Sequence, residues 1–222
     1  MRKRTIALFV AALLTFTAAS LLFTRPEPTL RQDVVFGTGG GEQLCLDLAM
    51  PGRSGGPFPL IVCLHGGAWI SGNKSSYRET ILDFARRGYV AASVQYRLAP
   101  RHKFPAQIED AKCAVRYLRA HAAEFRINPN RVGALGDSAG GHLALLLGLM
   151  NPQDGLEGGG GCAEQASKVQ AIVNYYGPTD LAANDDWAEA SRAAAAKLLG
   201  TTDPNDPIVA RASPVTYIDS AD

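Results

Sequence analysis

The pentapeptide Gly136-Asp137-Ser138-Ala139-Gly140 is the feature that most constrains the fold of this chain. It joins the short apolar run 131–135, which predicts a buried strand, to the segment 139–150, which predicts a helix. A G-x-S-x-G sequence at such a junction is typical of a tight strand-to-helix turn, because side chains in place of the outer glycines would collide with neighbouring backbone. We therefore expect the Ser138 hydroxyl at the carboxyl end of a sheet, where open α/β folds bind ligands. The simpler alternative is that Ser138 only caps the helix that follows.

Strand and helix patterns alternate along the rest of the chain. The runs 33–36 and 44–50 flank a glycine-rich turn at 37–41 and predict a hairpin. This alternation predicts an α/β fold with a mostly parallel sheet and helices on both of its faces. The segment 151–167, which contains four consecutive glycines at 158–161, predicts a loop of low order. The remaining predicted strands are 60–64, 89–95 and 169–175, and the remaining predicted helices are 77–87, 106–121 and 185–199.

The N-terminal segment has the pattern of a targeting sequence. Arg2-Lys3-Arg4 precedes an apolar stretch from Ile6 to Phe23, with small residues at 18–20 that suit a cleavage site. Residues 1–24 are therefore expected to form either a signal peptide or an N-terminal membrane anchor, and a core helix is the third alternative. In the first two cases the protein is exported, to the periplasm or the exterior. Residues 25–32 are expected to be a linker and 33–222 the folded domain.

The composition is that of an ordinary soluble globular domain, with 46% hydrophobic and 19% charged residues. A net charge of +1, with no long basic run after the N-terminus, argues against nucleic acid as a partner. The four cysteines have no metal-binding spacing. Cys63 and Cys113 fall in apolar patterns and are expected in the core. A disulfide among the four remains open, and the sequence does not set its pairing.

A second glycine motif, His65-Gly66-Gly67-Ala68, follows the predicted strand 60–64 directly. Glycines at that position let the backbone turn, so that its amides face a reacting carbonyl group. The amide of Ala139, the residue after the serine, would supply a further donor. His65 is expected to brace this turn rather than to carry protons. The alternative is a strand-to-loop turn with no part in chemistry.

These motifs together resemble the α/β-hydrolases, in particular the hormone-sensitive-lipase-like and feruloyl-esterase-like (BD-FAE) esterases. The resemblance implies a carboxylesterase that acts on small or sugar-linked esters through an acyl-enzyme intermediate, without a metal or other cofactor. It implies that Ser138 is the nucleophile and that the amides of Gly66, Gly67 and Ala139 form the oxyanion hole. The motifs that carry the resemblance are His65-Gly66-Gly67-Ala68-Trp69, Tyr96-Arg97-Leu98-Ala99-Pro100, Phe104-Pro105-Ala106, Gly136-Asp137-Ser138-Ala139-Gly140-Gly141-His142 and Tyr176-Gly177-Pro178-Thr179-Asp180-Leu181.

The chain departs from that family in its third catalytic element. Such enzymes carry an aspartate and then a histidine after the nucleophile, whereas none of the four histidines here follows His142. We therefore expect the catalytic acid and base to lie outside this sequence, the last strands of the fold to be missing, and the strand 169–175 to form a sheet edge. Either the sequence is a fragment of a longer protein, or it is a short form that is inactive or completed by a partner chain. The best substitute base within the chain is His102.

Two other functions stay open at this stage. One is a non-catalytic protein that binds a ligand or partner through the same pocket, and the other is a peptidase of the same fold. In all three cases the pocket candidates are Trp69, Tyr96, His102 and Asp137. The partners expected are a small ester substrate and, through the N-terminal segment, a membrane. The oligomeric state is not readable from the sequence.

Overall fold

The computed structural model describes residues 26–219, so the expected signal peptide or anchor lies outside the described residues. Six strands form one sheet in the order β1-β2-β4-β3-β5-β6. The pairs β1–β2 and β2–β4 are antiparallel, and the pairs β3–β4, β3–β5 and β5–β6 are parallel. The predicted mostly parallel sheet is therefore confirmed. The strands are β1 (Thr29–Gly39), β2 (Glu42–Met50), β3 (Phe58–Leu64), β4 (Val90–Val94), β5 (Ile127–Asp137) and β6 (Ala171–Tyr175).

Helices cover both faces of this sheet. Alternate residues of β3 point to opposite faces, so that Val62 and Leu64 join the larger core cluster and Cys63 joins the smaller one. The smaller cluster packs under α1, and α2 and α4 cover the larger one. The helices are α1 (Arg78–Arg86), α2 (Ala106–Ala120), α3 (Ala122–Phe125), α4 (Ala139–Leu149), α5 (Glu189–Leu199) and α6 (Pro207–Ala212), with 3-10 turns at Lys74–Tyr77, Pro152–Asp154 and Pro214–Tyr217.

Three elements differ in extent from their sequence prediction. β1 starts at Thr29, which pairs with Met50 at the end of β2. The strand therefore includes the end of the segment expected to be a linker. β5 begins at Ile127, which pairs with Phe58 of β3, although the polar residues 128–131 hide this strand from hydrophobic patterning. α5 starts only at Glu189, four residues later than predicted.

The segment 151–167 is tied to the domain, which corrects the expectation of a loop of low order. Glu157 receives hydrogen bonds from the buried Lys112 and Arg116 of α2, at 2.7 and 2.9 Å. The glycines allow close approach to the same helix: a Cβ placed on Gly160 would lie only 2.5 Å from the Cys113 sulfur. Charge pairing and small residues thus fix a segment that has no regular periodicity.

The strand β6 forms one edge of the sheet, as predicted, and within the described residues it pairs only with β5. Its apolar side chains are partly exposed, with 44% of Val173 and 50% of Tyr175 accessible to solvent. All four cysteines are free thiols, and Cys63 and Cys113 are buried as predicted. Between residues 26 and 219, no helix has the length and apolar character needed to cross a bilayer.

Candidate active site

Ser138 occupies a strained turn between β5 and α4. Its φ of 49° and ψ of −117° lie in a region that non-glycine residues seldom adopt. The backbone holds this conformation, because the Ser138 amide donates to the Tyr175 carbonyl at 2.8 Å and the His142 amide donates to the Ser138 carbonyl at 3.0 Å. The Ser138 side chain makes no capping hydrogen bond, so the helix-cap alternative is wrong. Ser138 lines a cavity.

The two outer glycines of the pentapeptide are required by this turn. A Cβ on Gly140 would lie 2.0 Å from the carbonyl oxygen of Leu64, and one on Gly136 would lie 2.3 Å from the backbone of Gly140. Both distances are far inside van der Waals contact. The predicted reason for the G-x-S-x-G spacing is therefore confirmed by the packing of α4 on the ends of β3 and β5.

The segment 65–69, which we call the glycine loop, follows β3 and reaches the same end of the sheet. Its last three residues all have positive φ, at 113° for Gly67, 52° for Ala68 and 61° for Trp69. The Gly67 carbonyl accepts hydrogen bonds from the amides of Ile70 and Ser71, at 3.1 and 3.0 Å. The loop is therefore a folded, strained turn in which successive backbone amides are turned away from strand geometry.

The amide of Gly66 is occupied, which corrects its expected role as an oxyanion donor. It donates to Asp137 Oδ1 at 3.0 Å. The same carboxylate oxygen accepts a hydrogen bond from the Tyr77 hydroxyl at 2.9 Å. Asp137 was expected to line the cavity, but it faces the glycine loop instead. Of the expected donors, Gly67 and Ala139 remain. Ala139 is the first residue of α4, where amides have no acceptor within the helix.

A cavity of about 500 Å³ opens beside Ser138. Trp69, one of the four pocket candidates, lines it. The segments after β6 and before α5 supply most of the wall, and sequence reasoning missed this contribution. The signal for it was the sequence Tyr176-Gly177-Pro178-Thr179-Asp180, which follows β6 at the sheet edge where Ser138 lies. The lining residues are Ala68, Trp69, Ser138, Tyr176, Gly177, Pro178, Thr179, Asp180, Ala183, Trp187, Ala188 and Ser191.

Tyr96 lies in the core rather than in the cavity, which corrects its assignment as a pocket residue. It is 1% exposed, and its hydroxyl donates to the His65 carbonyl at 2.7 Å. Its ring stacks on the His65 imidazole with centroids 4.2 Å apart. His65 Nδ1 in turn lies 2.7 Å from the Gly66 carbonyl oxygen. His65 thus braces the glycine loop, as the sequence predicted, and burial lowers the pKa of its imidazole.

His102 is also displaced from its expected place in the pocket. It follows the motif that begins at Tyr96, but its imidazole turns to the β1–β2 hairpin, where Nε2 lies 3.3 Å from Glu42 Oε1. His121 Nδ1 lies 2.9 Å from the Tyr117 carbonyl oxygen, at the end of α2. His142 is fully buried between Trp69 and Ala212. None of the four histidines is therefore hydrogen-bonded to the Ser138 hydroxyl.

The comparison with known sequences finds esterases. Residues 46–222 match the sequence profile of the BD-FAE family. Esterase LipC of Mycobacterium tuberculosis is 36% identical over 127 residues, which are 56% of this chain and 31% of LipC. Esterase LipQ of the same organism is 35% identical over 155 residues, which are 67% of this chain and 35% of LipQ. The chain thus spans about a third of the length of these curated relatives.

Solved structures give the same picture. A truncated form of a carbohydrate esterase from gut microbiota superposes with a TM-score of 0.77 at 27% identity, over 90% of this chain and 75% of that one. The thermophilic esterase Est2 of Thermogutta terrifontis, with propionate bound, gives a TM-score of 0.66 at 27% identity, over 88% of this chain and 68% of Est2. The strained serine turn, the glycine loop and the profile match over residues 46–222 together show that this chain has the α/β-hydrolase fold and belongs to the BD-FAE family.

Proposed function

We propose that this chain carries the nucleophile and oxyanion hole of a serine carboxylesterase. The observation that carries the proposal is the strained Ser138 turn, which opens onto a cavity that the glycine loop also lines. Esterase names among the relatives support it. The strain at Ser138 is maintained by the Tyr175 and His142 backbone bonds, and strain of this kind concentrates at functional sites.

The reaction follows from the groups around the cavity. Ser138 Oγ attacks the ester carbonyl carbon, and the carbonyl oxygen gains the negative charge of a tetrahedral intermediate. The amides of Gly67 and Ala139 stabilise that charge; the loss of one such donor costs about 3–4 kcal/mol of barrier. Collapse of the intermediate expels the alcohol and leaves an acyl-serine, which water then hydrolyses to the acid.

The serine proton has to leave during attack, because a neutral serine is a poor nucleophile. Each of the chain's four imidazoles is engaged with another group, and none is hydrogen-bonded to the Ser138 hydroxyl. We therefore place the catalytic base, and the acid that orients it, outside this sequence. Neutral imidazole from solution can enter the cavity beside Ser138, whose volume is about 500 Å³. There it can accept the serine proton and return it to the leaving alcohol.

The cavity wall fits a small or sugar-linked ester. Trp69, Tyr176 and Trp187 provide aromatic faces for the apolar face of an acyl group or a sugar ring. Asp180 and Ser191 lie on the same wall and offer hydrogen-bonding oxygens. The relative described as a carbohydrate esterase agrees with the sugar-linked alternative.

Hydrolysis of p-nitrophenyl acetate tests the proposal. The 222-residue chain alone is expected to hydrolyse the ester slowly, and added imidazole should raise its rate. Ser138→Ala in the same buffer measures the reaction of imidazole with the ester itself. The wild-type rate should exceed that of Ser138→Ala. His102→Gln is the matched control and should behave as the wild type does. Equal rates for the wild type and Ser138→Ala at every imidazole concentration would overturn the esterase proposal.

A non-catalytic binding protein is the second candidate, since no imidazole of the chain is hydrogen-bonded to the Ser138 hydroxyl. It predicts that Ser138→Ala changes no rate, while ligands still bind in the cavity. A peptidase would cleave p-nitroanilide peptides faster than esters when imidazole is supplied. Comparison of the ester and anilide rates therefore separates the three functions.

A further inference from the structure

His142 is a buried imidazole that the proposed reaction does not use. His142 lies one turn into α4, after Ser138, and is completely inaccessible to solvent. Its Nδ1 lies 3.2 Å from the indole Nε1 of Trp69, and its Nε2 lies 2.7 Å from the carbonyl oxygen of Ala212. The Trp69 and His142 rings meet edge to face, with centroids 5.3 Å apart. One side chain therefore joins the glycine loop, the helix behind the nucleophile and the end of α6.

The two contacts determine where the imidazole proton lies. An indole N–H only donates, so His142 Nδ1 has to be the acceptor and carries no proton. A carbonyl oxygen only accepts, so Nε2 carries the proton and donates it to Ala212. A doubly protonated ring would set one N–H against another. Burial agrees with the neutral form, because it lowers the pKa of His142 to about 4.

The Trp69 side of this arrangement is where the glycine loop is strained. Ala68 and Trp69 both adopt left-handed backbone conformations, which residues with a Cβ seldom adopt unless their surroundings hold them there. The Trp69 carbonyl accepts from the Ala99 amide at 2.9 Å, and its indole donates to His142. Trp69 is 3% exposed and still contributes to the cavity wall beside Ser138. The position of Trp69 therefore influences where the preceding Gly67 amide points.

We propose that His142 is a positioning residue: by accepting a hydrogen bond from the Trp69 indole, it holds the glycine loop in its strained form, with the Gly67 amide facing Ser138. The inference rests on the proposed function, because its effect is read at Ser138. Removal of the Trp69 bond should let Ala68 and Trp69 relax. A misplacement of a catalytic group by about 1 Å slows a reaction by up to roughly a hundredfold.

Two substitutions separate the two hydrogen bonds of His142. In His142→Asn, the amide oxygen can take the place of Nδ1 and keep the Trp69 bond while losing Ala212. In His142→Gln, the longer amide can reach Ala212 but leaves no acceptor for Trp69. Both variants remove the ring and lose comparable packing, so a merely structural role would affect them alike. Trp69→Phe removes the donor, and His121→Gln is a control at a half-buried histidine remote from the cavity.

The test compares fluorophosphonate labelling of Ser138 in the presence of imidazole, as a second-order rate constant per folded molecule. His142→Gln and Trp69→Phe should each label at least about tenfold more slowly than the wild type. The variant that combines the two substitutions should label no more slowly than either single variant. His142→Asn should label at close to the wild-type rate. His121→Gln should stay within about twofold. The Trp69 indole N–H signal, assigned by its loss in Trp69→Phe, should remain protected from exchange in His142→Asn and lose protection in His142→Gln.

Two results overturn the inference in distinguishable ways. In the first, His142→Gln labels as fast as the wild type, although the Trp69 indole proton of that variant exchanges freely. His142 then does not position the loop, and the esterase proposal is unaffected. If the wild type does not label at all, the proposed function fails and takes this inference with it.

Discussion

Asp137 and Gly66 are joined by a hydrogen bond of 3.0 Å from the Gly66 amide to the Asp137 carboxylate. A Cβ on Gly66 would lie 2.3 Å from Asp137 Oδ2, so only glycine allows this approach. Asp137 immediately precedes the nucleophile and His142 follows it by one turn. The two side chains therefore tie the two ends of the glycine loop to the segment that carries Ser138.

Removal of the Asp137 carboxylate should slow the labelling of Ser138 and also destabilise the fold. Asp137→Ala leaves the Gly66 amide unpaired, which costs about 1–3 kcal/mol of stability, and should slow fluorophosphonate labelling at least about tenfold. Asp137→Asn keeps an acceptor and should retain most of the rate. The control is Tyr77→Phe, which removes the other partner of Asp137 and leaves the Gly66 bond. A Tyr77→Phe variant as slow as Asp137→Ala would contradict this role.

Substitution of Gly140 tests the packing of the nucleophile turn. Gly140→Ala should lose more than about 3 kcal/mol of unfolding free energy, because its methyl group would overlap the Leu64 carbonyl and force backbone to shift. Gly159→Ala is the matched control, since a Cβ there meets nothing within 4 Å. It should change stability by less than about 0.5 kcal/mol. Urea unfolding followed by circular dichroism measures both, and equal stability of the two variants would refute the steric argument.

His142 should make the stability of the folded chain depend on pH. Burial lowers its pKa from 6.5 to about 4, so between these values the unfolded chain binds the proton and the folded chain does not. Stability is therefore complete above pH 6.5 and falls as the pH drops toward 4, by about 3 kcal/mol from this group. The buried His65 acts in the same direction. Urea midpoints at pH 7 and 4.5 should differ less in His142→Asn than in the wild type; an equal difference would exclude His142 as the source.

Glu157 should matter for stability although it lies outside the helices and strands. Glu157→Gln leaves the Lys112 and Arg116 side chains, each 2% exposed, without their carboxylate. Because Glu157 itself is 34% exposed, solvent screens part of the loss, and we expect about 2 kcal/mol. Glu164→Gln in the same segment is exposed and should be neutral. Thermal unfolding distinguishes the two, and equal melting temperatures would show that the ion pair does not anchor the loop.

Local patterns predicted the parts of the molecule that depend on local sequence. The strand-to-helix turn at Ser138 follows from two glycines at fixed spacing, and the bracing role of His65 follows from its place after a buried strand. The buried strands β3 and β4 were predicted because both of their faces are apolar. Bounds that depend on a distant partner were not predicted, such as the polar ends of β1 and β5.

The side chains around the site were harder to predict for the same reason. Tyr96 and His102 are close in sequence, yet Tyr96 packs on His65 and His102 lies beside Glu42, because these partners come from different parts of the chain. The occupied Gly66 amide depends on Asp137, which is 71 residues away in the chain. The cavity wall at 176–191 depends on where the chain turns after β6. Long-range contacts of this kind leave no periodic signal in the sequence.

The central claim is that Ser138 is a nucleophile whose base is none of the chain's four histidines. Peptide mass spectrometry of the 222-residue protein after reaction with a fluorophosphonate, with and without imidazole, tests it most directly. We predict a single adduct on Ser138 that forms faster with imidazole, and that forms at an unchanged rate in His102→Gln and His121→Gln. The claim would be contradicted if Ser138 labelled fully without imidazole and either histidine substitution abolished that labelling. An adduct on a residue other than Ser138 would also contradict it.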